Sequence, residues 1–257
     1  MNFYFDTNLA IPYKSNSQKV RIMSESWVGE NIFCPACGNP HIKSLKNNSP
    51  VADFQCDFCG EIFELKSKNG QLGNKIADGA YSTMLQRITS LTNPNLFVMC
   101  YSDKFQVVSL TAIPKFFFTP SIIEKRRPLS PNAVRAGWVG CNILYGKIPT
   151  QGKISLLKDQ TLRDANAVVK EYRRISQLQT HSITERGWLF DVLNCINAIP
   201  CEEFSLSDVY VFSDILQEKH PTNHNVKPKI RQQLQVLRDK GFIEFLGNGS
   251  YRKLYDI

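Results

Sequence analysis

Residues 51–68 read VADFQCDFCGEIFELKSK, and the fold turns on them. VADFQC and EIFELK are both strand-like, and the CDFC between them forms a tight knuckle, so the stretch predicts a β-hairpin. A second Cys-x-x-Cys, CPAC at 34–37, is separated from Cys56 by eighteen residues. Two such pairs at this spacing read as a structural zinc site made by Cys34, Cys37, Cys56 and Cys59. Each turn aims two thiolates at one edge of a tetrahedron, and Pro35 and Gly38 help shape the first. His41 is a competing ligand, but four Cys already close the site. Cys100, Cys141, Cys195 and Cys201 are scattered singly and read as small core residues.

Side chains alternate along a strand, so Glu64 and Lys66 share one face of the hairpin. Asp53, on the opposing strand, reaches that face near the open end. Two carboxylates and an ammonium converging there make a divalent-metal site, with Asp53 and Glu64 as Mg²⁺ ligands. Such a metal activates water and steadies charge on a phosphate, while Lys66 orients the water or stabilises the transition state. The plainer alternative is an exposed hairpin carrying Glu and Lys, because an Asp followed by Glu-x-Lys is a weak pattern alone. The shared face and the rigid zinc knuckle favour the metal site, as does the C-terminal part, which reads below as a winged helix-turn-helix.

A length of 257 residues suggests two domains, or one with a substantial appendage. Charged residues at 21% and hydrophobic ones at 42% describe a globular chain rather than a disordered one. A net charge of +8 favours a polyanionic partner. The longest apolar stretch, LFVMCY at 96–101, is far short of a membrane span, so no membrane role is expected. The opening MNFYFDTNLA has no basic region and carries Asp6, unlike a secretory signal. A cytoplasmic protein with reduced thiols is expected.

Residues 13–30 and 76–91 read as helices, with N-cap candidates for the first at Ser15, Asn16 and Ser17. Residues 96–101, 105–113 and 143–159 read as β-rich. The texture changes in the polar stretch 174–183, which places a boundary between domains 1–181 and 182–257. Beyond it come the helical segments ITERGWLFDVLNCINAI, then LSDVYVFSDILQEK with Ser205 as N-cap, then VKPKIRQQLQVLRDK stopped by Gly241. GFIEFLGNGSYRKLY follows as two short strands around GNG. Three helices and a small hairpin predict a winged helix-turn-helix. Residues 183–257 hold nine Lys/Arg and ten Asp/Glu, yet the third helix (226–240) carries five cations against Asp239 alone.

Several blocks, in order along the chain, resemble one family: SNSQKVRI at 15–22, CPACGN at 34–39, PVADFQC at 50–56, FELKSK at 63–68, DGAY at 78–81, VRAGWVGCN at 134–142 and KIRQQLQVLRDK at 229–240. They are similar to the Dam-replacing, DpnI-like family of methyl-directed type II restriction endonucleases. The resemblance implies an α/β (mixed-sheet α+β) PD-(D/E)xK nuclease domain with a four-cysteine zinc site, followed by a winged helix. It implies Mg²⁺-dependent cleavage of both strands of duplex DNA at GATC containing N6-methyladenine. It places Asp53, Glu64 and Lys66 on the catalytic motif, with the nominal "PD" spread out as Pro50-Val-Ala-Asp53. A monomer is expected.

Two methyl groups face the major groove of a fully methylated site. Burying one is worth only about 0.8 kcal/mol, so discrimination needs a shaped dry pocket. Trp138 is the candidate wall, and Arg135 beside it suits a phosphate or a guanine; the alternative is a core Trp held by a Gly turn. Trp27 and Trp188 read as core. On the tail helix, Val226, Ile230, Leu234 and Leu237 share a face that should be buried. Asn225, Pro228, Gln232 and Gln235 then point outward, where Asn and Gln suit adenine edges and Lys229 and Arg231 suit phosphates. Arg252 and Lys253 would place the wing on the backbone. The alternative is a solvated basic helix. Two rival functions stand: a zinc-ribbon and winged-helix DNA-binding regulator without nuclease activity, for which Asp53, Glu64 and Lys66 have no use, and a nuclease of drifted specificity.

Overall fold

The computed structural model describes residues 2–45, 52–90, 93–180 and 182–254. Pro50, the nominal start of the acidic motif, lies outside the described residues. The chain begins with a short 3₁₀ turn and then α1 (Asn16–Asn31). Met23, Trp27 and Val28 line its buried face, and the Trp27 indole donates to the Asn2 carbonyl at 2.8 Å. Ser15 is the N-cap by position, but its hydroxyl bonds to Ser17 instead of capping.

The strands β1 (Lys43–Ser44), β2 (Phe54–Gln55) and β3 (Ile62–Asn69) follow as an antiparallel run. Next come β4 (Ile76–Ala80) and α2 (Tyr81–Ile88), then β5 (Asn95–Tyr101) and β6 (Val107–Ile113). The expected helix over 76–91 is therefore strand in its first third, because 76–80 pair with a later strand. β7 (Ile123–Lys125) and β8 (Gly140–Ile143) precede β9 (Ile154–Lys158) and β10 (Thr161–Leu162). α3 (Ala165–Ser176) closes this part, with the Asp164 carboxylate accepting from the Ala167 N–H as its cap.

Seven strands form one mixed sheet in the order β1-β2-β3-β5-β6-β9-β10. β3 and β5 are parallel, and every other pairing is antiparallel. All seven residues of β5 are buried, as a central strand covered on both faces requires. A separate three-stranded sheet, β4-β8-β7, takes its first strand from the crossover between β3 and β5 and carries a long β7–β8 arm.

The remaining residues build α4 (Ile183–Ala198), β11 (Glu203–Ser205), α5 (Leu206–Tyr210), α6 (Ser213–Lys219), α7 (Val226–Asp239), β12 (Ile243–Gly247) and β13 (Ser250–Lys253). Ser205 and Asp208 form a reciprocal capping box at α5. The single helix expected over 206–219 breaks into two at Val211 and Phe212. Gly241, with φ of +70°, ends α7, and the Phe242 N–H returns to the Leu237 carbonyl at 2.9 Å. Gly247, Asn248 and Gly249 all have positive φ and turn β12 into β13, with β11 as a third strand of the wing. Among the described residues, no helix is long and apolar enough to cross a membrane.

α4 joins the two parts. Phe190 stacks on Phe117 at 4.5 Å, and the buried Arg186 guanidinium donates to the Phe116 and Ile88 carbonyls. A Cβ added at Gly152 would lie 2.6 Å from Phe117. Gly152→Ala is therefore expected to cost about 1–3 kcal/mol through overpacking, read as a lower midpoint in thermal unfolding. Gly73→Ala, which meets open space at a negative φ, should leave the midpoint nearly unchanged.

Candidate active site and metal centre

The two Cys-x-x-Cys turns are built alike. The Cys34 N–H donates to the Asn39 carbonyl and the Gly38 N–H returns to Cys34; the Cys56 N–H donates to Glu61 and the Gly60 N–H returns to Cys56. Gly38 and Gly60 take φ of +83° and +75°, a conformation glycine adopts without steric cost. The four sulfurs lie within 4.8 Å of one another, with 3.6 Å between Cys34 and Cys59 and between Cys37 and Cys56. Zinc–sulfur bonds of about 2.3 Å in a tetrahedron require sulfurs about 3.8 Å apart, so the donor set fits zinc. A disulfide needs about 2.05 Å and does not fit. Burial pushes the Cys34 and Cys59 thiols up. Burial acts likewise on Cys56, but N–H groups of Cys59 and Phe58 and the Asn39 amide outweigh it and bring that thiol to about 7. Glu61 follows the second knuckle and receives Lys115 at 3.0 Å and the Asn95 amide at 2.7 Å, which ties the knuckle to β5.

On β3, Phe63 is fully buried and stacks on Phe97 at 4.6 Å, while Glu64 and Lys66 turn to the other face. The Lys66 ammonium donates to Glu64 Oε1 at 2.6 Å and to Asp78 Oδ1 at 2.7 Å. Asp53 stands just before β2, where its N–H donates to the Phe63 carbonyl and its Oδ2 accepts from the Leu65 N–H at 2.8 Å. Its carboxylate is thus set against the backbone between Glu64 and Lys66. Burial pushes the Glu64 carboxyl above its ordinary range; Lys66 pulls it back, and Asp78 and Asp53 push it further up. Burial alone would lower the Lys66 ammonium, but Glu64 and Asp78 hold it well above the usual lysine value.

From α1, the Arg21 guanidinium binds Glu25 at 2.5 Å and reaches Asp53 Oδ1 at 3.5 Å. A groove of about 660 Å³ opens beside these groups, lined by Arg21, Glu25, Lys66, Lys68, Lys75 and Tyr101 among others. Arg21, Glu25 and Asp78 are site neighbours that reading of the hairpin misses. Arg21 and Glu25 are legible as an i, i+4 pair on α1. Asp78 belongs to the DGAY block, but no local spacing ties it to the hairpin, since it arrives from another sheet.

Trp138 is not in the core. Gly137 turns with φ of +76°, and the half-buried Trp138 ring sits close against Gly140, where an added Cβ would meet its Cη2 and Cζ3 at 2.8 Å. Arg135 is exposed on the same arm. Trp27 and Trp188 are buried. On α7, Val226, Ile230, Leu234 and Leu237 are buried together with Gln233. Asn225, Pro228, Gln232 and Gln235 are exposed, and Lys229 donates to Gln232 at 2.7 Å. Arg231 donates to the Tyr210 hydroxyl at 3.3 Å, and Lys227 lies over the Tyr210 ring at 5.3 Å.

The wing cations are placed differently from expectation. Lys253 is 4% exposed, with its ammonium on the Ile199 carbonyl, so it anchors the wing to the domain and does not face outward. Arg252 is held by Glu203 at 2.6 Å and Glu244 at 3.4 Å. Alternation along β13 explains the difference, because adjacent residues take opposite faces. For the metal centre, elemental analysis is expected to find about one zinc per chain. Cys37→Ser should lower both the zinc content and the unfolding midpoint, since metal binding adds directly to folding stability.

Comparison with known proteins gives two matches. The Dam-replacing family (DpnI) matches residues 1–181, and the Dam-replacing HTH domain (DpnI_C) matches residues 184–253. The chain belongs to the Dam-replacing family, whose members are restriction nucleases, and carries that family's DNA-binding helix-turn-helix domain.

Proposed function

We propose that the protein is a Mg²⁺-dependent, type II methylation-dependent endonuclease that cuts both strands of duplex DNA at GATC containing N6-methyladenine. Residues 1–181 form the cleaving PD-(D/E)xK domain and residues 182–257 the winged-helix DNA-binding domain, and the protein acts as a cytoplasmic monomer. The observation that carries the reading is Asp53 bonded to the backbone between Glu64 and Lys66, Lys66 bonded to Glu64, and a groove that Lys66 lines together with Arg21, Lys68 and Lys75.

The carboxylate oxygens of Asp53 and Glu64 are hard donors that suit Mg²⁺. A bound Mg²⁺ would supply Lewis-acid polarisation of the scissile phosphate and a water of lowered pKa. Arg21 and the Leu65 N–H fix the two oxygens of Asp53, so its carboxylate is oriented before substrate arrives. Lys66 has three N–H donors, two of them engaged by Glu64 and Asp78, which leaves the third for a phosphate oxygen or the attacking water. Lys229 and Arg231 of α7 bind phosphates, and Asn225 and Gln232 face adenine edges. Trp138 on Gly140 offers an apolar wall for the N6-methyl group, and Arg135 lies on the same arm.

The test is a plasmid digest with Mg²⁺, comparing GATC-methylated and unmethylated DNA. Cleavage of the methylated plasmid alone is expected, and Asp53→Ala should reduce it by about 10²–10⁴-fold. Cleavage of both plasmids would remove the methyl specificity. Binding without cleavage would leave a DNA-binding regulator. Trp138→Ala should fold and cut, but with a smaller ratio of methylated to unmethylated cleavage; an unchanged ratio would remove Trp138 from the recognition.

A further inference from the structure

DGAY at 78–81 has no part in the zinc centre, the acidic hairpin or the DNA-reading helix, yet its first residue touches the proposed catalytic lysine. Asp78 is only 8% exposed, far less than the Glu64 and Lys66 side chains at 23% and 26%. Its Oδ1 accepts from both the Lys66 ammonium and the Gly79 N–H, each at 2.7 Å. The register of β4 against β8 shifts between Asp78 and Ala80. Asp78 keeps Cys141 as its partner and Gly79 has none in that register, so the irregularity falls directly after Asp78, at the residue whose N–H its carboxylate binds.

The second partner of Lys66 is Glu64, which is also a proposed metal ligand. A carboxylate oxygen that turns to a metal is lost, wholly or in part, to the ammonium. Lysine is a flexible four-carbon stem ending in a point charge, and it does not hold one position unaided. Asp78 comes from a different strand and a different sheet, and its fixing by Gly79 does not depend on Glu64. We infer that Asp78 is a positioning residue for cleavage, the fixed carboxylate that keeps the Lys66 ammonium aimed at the reacting phosphate when Glu64 is engaged elsewhere. The inference rests on the nuclease reading above.

The experiment compares wild type, Asp78→Asn and Asp78→Glu in single-turnover cleavage of methylated duplex. Calorimetry measures Mg²⁺ binding by each protein, and DNA affinity is measured without metal. Asparagine keeps the size and the oxygen that accepts from Gly79 but loses the charge that holds Lys66. The cleavage rate of Asp78→Asn is expected to fall by about 10–100-fold, with Mg²⁺ and DNA dissociation constants within about twofold of wild type. Asp78→Glu restores the charge and should recover part of the rate. An unchanged rate in Asp78→Asn would overturn the inference. A loss of Mg²⁺ affinity in step with the rate would overturn it too, and make Asp78 a metal ligand. So would a loss of rate matched by a lowered unfolding midpoint with no recovery in Asp78→Glu. A wild type that binds but does not cut would instead overturn the nuclease reading, and this inference with it.

Discussion

The register of β3 is the constraint on which the site depends. Phe63 is fully buried against Phe97, and β3 runs parallel to β5 with Phe63 opposite Asn95 and Lys66 opposite Val98. Strand periodicity then leaves Glu64 and Lys66 no choice of face. A slip of one residue would put Phe63 in the groove and both charged groups in the core, so the apolar packing that stabilises the sheet also specifies the site. The cysteine knuckle holds the same strand at its start. It folds the connection between Gln55 and Ile62, CDFCGE, into a compact turn and fixes where β2 must pair, which brings Asp53 to the Leu65 N–H.

A second sheet completes the site from outside. β4 carries Asp78 to Lys66, and its partner β8 emerges from the arm that bears Arg135 and Trp138. Lys75, just before β4, binds Glu124 of β7 at 2.7 Å, and Asn142 of β8 donates to the same carboxylate at 2.8 Å. Each of these exposed contacts contributes little singly. Together with the strand pairing they make β4, β7 and β8 one body. The proposed methyl-reading wall and the carboxylate that holds the proposed catalytic lysine thus sit on neighbouring segments of one sheet, with Asp78 opposite Cys141, three residues beyond Trp138.

How much of this could be read from the sequence follows the range of each interaction. The knuckles and the shared face of Glu64 and Lys66 depend on local spacing and were legible. So were the buried stripe of α7, the Ser205 cap and the Gly241 stop, which are set within one or two turns. The stretch 76–91 misleads because its apolar residues, Ile76, Met84, Leu85 and Ile88, suit a helical stripe throughout. Pairing with β8, far along the chain, makes a strand of 76–80, a tertiary contact that local propensity does not contain. Asp78 is hidden for the same reason. Lys253 is a different case: alternation already says that it and Arg252 cannot both face outward, and only the neighbours in the fold decide that the lysine is the inward one.

The relation between the two parts of the chain follows from α4. A helix-turn-helix on a flexible tether would reach DNA independently of the cleaving hairpin, with their cooperation set by linker length. Here the first helix of that domain is itself part of the common core, with Phe190 on Phe117 and Arg186 on two backbone carbonyls of the other part. Arg174 of α3 donates to the Gly241 and Leu254 carbonyls, and Lys240 at the end of α7 donates to Gln177. Contacts at both ends of the domain, apolar at one and charge-assisted at the other, oppose the relative motion that is the usual expectation between domains. The spacing between α7 and the Asp53–Glu64–Lys66 edge is therefore set by packed side chains and not by the length of a linker.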